Sequence, residues 1–142
     1  MEQLPSTQAA VNALRAIAAE YALEIEVTDD IGADQTSRRS AAGVGVATDA
    51  DGSLPHEAFA EFGGVPRVSV RIFPEGDALI TVEDVEFPDI PRDDVPAFLC
   101  SVFGGLAFVK GRSLIVPLPG DRAHKEFVPM LLLTPWLSSR AR

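Results

Sequence analysis

Arg67-Val68-Ser69-Val70-Arg71-Ile72-Phe73, followed by Pro74-Glu75-Gly76-Asp77, is the stretch whose reading decides the fold class. Its first seven residues alternate polar and apolar side chains with period two, the pattern of a strand with one face on a core. Pro74, Gly76 and Asp77 supply turn chemistry, because proline presets φ and glycine takes positive φ without steric penalty. A second strand is therefore expected over residues 79–87, returning antiparallel to the first. It runs into Pro88-Asp89-Ile90-Pro91 and then into a helix over residues 91–103. In that helix Val95, Phe98, Leu99 and Val102 form an apolar stripe. Asp93 and Asp94 sit in the first turn, where the helix dipole favours carboxylates, and Gly104-Gly105 ends the element. Pro96 is tolerated because it falls in or near the first turn.

Working outward, Ser6 is a suitable N-cap for a helix over residues 7–22, with Ala10, Val11, Leu14, Ile17, Ala18 and Tyr21 along one face. Residues 23–28 then alternate, which predicts a strand with Leu23, Ile25 and Val27 inward and Glu24 and Glu26 in water. Residues 29–42 have loop composition and no periodicity. A short strand is expected over 43–48 and a short helix over 54–62, its Phe59 and Phe62 sharing a face. Lys110-Gly111-Arg112 joins two further strands, and Pro119-Gly120-Asp121 turns the chain again. Residues 126–134 fit a strand or a helix by apolarity, but Pro129 disfavours the interior of either. An edge strand is expected there, with Pro135-Trp136-Leu137 as a C-terminal anchor. The sum is a single α+β domain over 1–142: a mostly antiparallel sheet of about five to six strands covered by two main helices, 7–22 and 91–103.

With 142 residues, 46% hydrophobic and 23% charged, the composition is that of a globular domain. A chain of this length buries roughly two-thirds of the surface its unfolded form exposes, so it needs no metal or disulfide to fold. Cys100 is the only cysteine, which excludes an intrachain disulfide and suits a reducing compartment. No signal-peptide pattern opens the sequence, and its longest apolar run near the C-terminus, 128–133, is far short of a membrane span, so a cytoplasmic protein with no membrane partner is expected. The net charge of −9 is uneven. Residues 1–105 carry six Lys and Arg against 19 Asp and Glu, a balance of −13, whereas residues 106–142 carry six against two, or +4. An anionic body repels phosphate backbones, so no nucleic-acid partner is expected, and acidity favours fast encounter with a basic protein.

The motifs tested carry no cofactor or metal. Gly43-Val44-Gly45-Val46-Ala47-Thr48 has Thr48 where a dinucleotide fingerprint needs its third glycine. Lys110 precedes Gly111, the wrong order for a phosphate loop. Asp49-Ala50-Asp51-Gly52 lacks the first and twelfth calcium ligands, since these positions are Ala47 and Ala58. His56-Glu57 lacks a second histidine four residues on, where Ala60 stands. No serine sits in a nucleophile-elbow pentapeptide.

The elbow that ends the hairpin holds Glu83, Asp84, Glu86, Asp89, Asp93 and Asp94, interleaved with Val85, Phe87 and Ile90. On one strand Glu83 would share a face with Val85 and Phe87, while Asp84 and Glu86 point the other way, so the carboxylates do not form one catalytic pocket. The sequence expectation is a non-enzymatic, acidic protein-interaction module that binds a more basic protein through Glu83, Asp84, Glu86, Phe87 and Asp89. Toxin-neutralising immunity proteins and secretion chaperones are similar in size and acidity, an analogy of class without a shared motif. The alternative is a small enzyme or ligand-binding domain using the 29–42 loop with His56, His124 and Cys100. A third reading is a homodimer built on an exposed sheet face or on the edge near 128–133.

Overall fold

A computed structural model of the chain describes residue 4 and residues 6–31, 57–129 and 134–141. The fold is α+β. Helix α1 (Thr7–Glu20) precedes β1 (Ile25–Ile31), β2 (Glu57–Phe62), β3 (Val68–Ile72), β4 (Asp77–Val82) and β5 (Val85–Pro91). A 3₁₀ turn, Arg92–Asp94, leads into α2 (Val95–Phe103), followed by β6 (Phe108–Lys110), β7 (Ser113–Leu118), β8 (Arg122–Phe127) and the short α3 (Pro135–Ser139). The strands form two antiparallel sheets, β1-β2-β3-β4-β5 and β6-β7-β8, each in sequence order.

Period-two alternation builds the inner face of the first sheet. Ala58, Ile72, Ala78 and Ile90 are successive cross-strand partners, as are Ala60, Val70 and Ile80, with Phe87 next. All eight are buried. Large side chains alternate with small ones in these rows, and the alanines on β2 leave room for α1, which packs over β1 and β2. Ser6 caps α1 by accepting from the Ala9 N–H at 3.0 Å. Helix α2 packs against α1 on one side and β7 on the other, so its apolar stripe joins both sheets in one core. Phe98, fully buried on α2, meets Phe87 of β5 edge-on, ring centroids 5.0 Å apart at 75°. The C-terminal anchor forms as expected, with Leu137 of α3 fully buried.

Three expectations are corrected. Residues 57–62 are strand, not helix, because Ala58, Ala60 and Phe62 point inward in strict alternation. The three-residue spacing of Phe59 and Phe62 and the helix-forming alanines concealed that period. The expected strand over 79–87 is two strands, turned back by Glu83 and Asp84 between the paired residues Val82 and Val85. Their φ values of +49° and +70° are the two positive values of a type I′ hairpin turn. Such turns prefer Asn-Gly, so Glu-Asp gave no turn signal. The strand near the C-terminus is β8, Arg122–Phe127, earlier than 126–134; the five-stranded antiparallel sheet is the one expected with five to six strands, and the three-stranded sheet is additional to it. The expected strand over 43–48, residues 32–42 of the expected loop and residues 130–133 lie outside the described residues, while 29–31 belong to β1.

The Pro88-Asp89 connector is a bulge within β5. Ile80 pairs with Phe87 and Ala78 with Ile90, so Pro88 and Asp89 together oppose Leu79. Asp89 takes φ +57°, which lets Ile90 return to the core three residues after Phe87.

Candidate functional site

The outer face of the five-stranded sheet carries the alternate residues of each strand. One cross-strand row runs Glu26, Glu61, Ser69, Thr81, Glu86 from β1 to β5. The next runs Thr28, Phe59, Arg71, Leu79. Glu24 precedes Glu26 by two residues and therefore projects from the same face. Glu24, Glu26, Glu61 and Glu86 are exposed, while Phe59, Ser69, Leu79 and Thr81 are half-buried. Carboxylates thus flank a strip of partly covered apolar and hydroxyl side chains. Glu24, Glu26 and Glu61 line one open depression of about 540 Å³, and Phe59, Glu61, Ser69, Thr81 and Asp84 line another of about 310 Å³.

Electrostatics distinguish this face from an ordinary solvated one. Arg71 is engaged by Glu57 at 3.8 Å and lies over the Phe59 ring, 5.6 Å from its centroid. Among the described residues no ion pair engages Glu24, Glu26, Glu61 or Glu86. Glu26 stands directly opposite Glu61, and like charges in that position destabilise a sheet by about 0.2–1 kcal/mol. Glu61→Gln is accordingly expected to stabilise the fold by about that amount at low ionic strength, with a smaller gain at 1 M salt. Urea midpoints at the two salt concentrations check this, and a variant no more stable than the parent at low salt contradicts the cross-strand repulsion.

The elbow residues expected to bind a partner occupy different positions. Glu86 lies on the outer face, in the row with Glu26 and Glu61. Asp84 is exposed at the turn beside it, 3.2 Å from Arg67 Nη2. Asp89 is exposed at the bulge. Glu83 and Phe87 point inward: Phe87 is 1% exposed, and Glu83 is 7% exposed. One Glu83 oxygen accepts from Arg67 N at 3.1 Å and Arg67 Nε at 3.4 Å, the other from Thr134 Oγ1 at 2.9 Å. The apolar anchors Val85, Phe87 and Ile90 are core residues, and their place on the surface is taken by Phe59 and Leu79.

Of the residues of the enzymatic alternative, the two that are described, His124 and Cys100, are not brought to one place, and residues 32–42 lie outside the described residues. His56 lies outside the described residues. His124 of β8 has Nε2 3.3 Å from Asp94 Oδ2, and Arg122 grips the same carboxylate at 3.2 and 3.3 Å. Asp94 is buried at the N-terminus of α2, and its side chain ties the second sheet to the helix instead of capping it. Asp93 likewise accepts from the Leu4 N–H, at 2.6 Å. Cys100 faces α1, with the Tyr21 hydroxyl donating to its carbonyl at 3.4 Å, and neither groove that it lines includes His124. Burial pushes the Cys100 thiol up; the Tyr21 hydrogen bond opposes this and the Glu20 carboxylate adds to it. A thiol raised in this way is protonated at neutral pH and is a poor nucleophile. Among the described residues no group of three His, Cys, Asp or Glu could hold a metal ion, and no helix is long and apolar enough to cross a membrane.

Sequence reasoning missed Glu61 because the helix expected over 54–62 hid its alternation. The signal for Glu24 and Glu26 was present in the period-two pattern of 23–28, but a strand read alone does not show which strand lies beside it. Comparison with protein-family models, curated proteins and solved structures gives no match.

Proposed function

We propose that the chain is a non-enzymatic protein-interaction module whose outer sheet face holds a more basic protein by charge complementarity around Phe59 and Leu79. One observation carries this reading: Glu26 and Glu61 oppose each other with no counterion among the described residues on an exposed sheet face, with Glu24 beside them and Glu86 at the far end of the same row. That arrangement costs folding stability and is relieved when a cationic surface covers it. The net charge of −9 acts in the same direction, by steering a basic partner into encounter. The contribution expected from the elbow is correspondingly narrowed to Asp84, Glu86 and Asp89, which are exposed, because Glu83 and Phe87 are committed to the interior.

The reading is tested by affinity capture from the native host with the parent protein and with Glu24→Gln/Glu26→Gln/Glu61→Gln. A control neutralises Glu20, Glu75 and Asp121, exposed carboxylates outside the rows of the outer face. The expected result is a basic protein recovered with the parent and the control and lost with the outer-face variant. Equal recovery with all three proteins contradicts the reading.

A further inference from the structure

The second sheet has an outer face of the opposite sign. Phe108, Ile115 and Lys125 are successive cross-strand partners across β6, β7 and β8, and Lys110, Ser113 and Phe127 form the adjacent row. The inward alternates Val109, Leu114, Val116 and Leu118 are buried, so these two rows face away from the core. Lys110 and Lys125 are exposed, Arg112 is exposed in the turn beside them, and Phe127 is 56% exposed. Among the described residues none of these three cations enters an ion pair. The face is thus a strip of Phe108, Ile115 and Phe127 bordered by lysines, the charge complement of Phe59 and Leu79 bordered by glutamates.

We infer that this basic face docks on the acidic outer face of a second copy of the chain. The inference rests on reading the outer face of the first sheet as a binding surface, and it gives that surface a second, weaker occupant. Because the two faces differ, the contact is heterologous: each copy offers one acidic and one basic face, so association is head-to-tail and propagates unless it closes into a ring. Three strands of up to six residues present a flat area of roughly 300 Å². A stable complex commonly buries about 800 Å² per partner, so the self-contact belongs to the weak class and appears only in concentrated protein. Affinity of this kind is set by charge complementarity, and a more basic protein competes with the second copy for the same glutamates.

Sedimentation velocity over a concentration series at low ionic strength tests the inference on the full chain. The parent is expected to show a weight-average sedimentation coefficient that rises with concentration. Lys110→Glu/Lys125→Glu and Glu26→Lys/Glu61→Lys should each sediment as monomer. An equimolar mixture of the two variants should associate again, since each then meets one complementary face on the other. Both variants remain net negative, so net charge alone cannot produce the restored association. All four positions are exposed surface sites, and unchanged far-UV circular dichroism confirms that the variants fold. A parent that stays monomeric throughout, a variant that still associates, or a mixture that stays monomeric overturns the inference. None of those results alters recovery of a basic protein in the capture experiment, so failure here is distinguishable from failure of the proposed function.

Discussion

Phe98→Ala lowers the free energy of unfolding by about 3–5 kcal/mol, the range for truncating a fully buried phenylalanine. The site is a severe one for three reasons. Phe98 has 0% exposure, so every removed atom leaves a void. Its ring packs edge-on against Phe87, a geometry that adds about 0.5–1.5 kcal/mol beyond area burial. It also lies 6.1 Å, centroid to centroid, from His124, so the same side chain touches β5 of one sheet and β8 of the other. Domains of this size are held by about 5–15 kcal/mol in total, and the loss is a large part of that. Phe98→Leu, which keeps most of the volume, should lose only about 1–2 kcal/mol. Urea unfolding followed by fluorescence and by circular dichroism measures both variants. A loss under 1 kcal/mol for the alanine variant contradicts the placement of Phe98 at the junction of the two sheets.

Glu83→Ala is expected to cost about 2–3 kcal/mol, because it leaves the Arg67 N–H and the Thr134 hydroxyl without their buried acceptor. The exposed partner is not the source of this figure. Arg67 is 69% exposed, and an ion pair to such a side chain is worth little by itself. The main-chain bond to Arg67 and the bond to Thr134 matter more: the first holds the chain entering β3, and the second holds the N-cap residue of α3. Glu83 also occupies a positive φ that disfavours any residue with a side chain, and its carboxylate bonds offset that strain. A double-mutant cycle with Thr134→Val isolates the contact between the turn and the C-terminal helix, and additive losses would show that the two residues do not interact.

The hairpin of β3 and β4 was legible because both carry strict alternation and the turn between them contains Gly76, which takes φ +103°. Helix α1 was legible for the same kind of reason, with a cap at Ser6 and one continuous apolar stripe. The Glu83-Asp84 turn was not, because its geometry is one that the local residues do not prefer and that distant partners, Arg67 and Thr134, stabilise. The Asp89 bulge escaped for a related reason: a single positive φ at a non-glycine position leaves no mark in composition. β8 was concealed because Arg122-Ala123-His124-Lys125-Glu126-Phe127 is an edge strand with little apolar content. Of the candidate face, Glu86 and Asp84 were found in the sequence, and Glu24 and Glu26 were seen as solvent-facing. Their assembly with Glu61 into a single row depends on β2 lying between β1 and β3, which only the pairing register reveals.

Stability and binding should respond in opposite directions at the outer face, whereas a purely structural role would move them together. Glu61→Gln should raise stability, since it removes a repulsion from Glu26, and should weaken binding, since it removes part of the anionic surface. The most direct measurement is therefore affinity for the captured basic protein, determined beside the urea midpoint of the same Glu24→Gln/Glu26→Gln/Glu61→Gln variant. The predicted result is a higher midpoint with binding at least tenfold weaker, the equivalent of about 1.4 kcal/mol. Unchanged affinity in the more stable variant would contradict the claim that this face holds the partner.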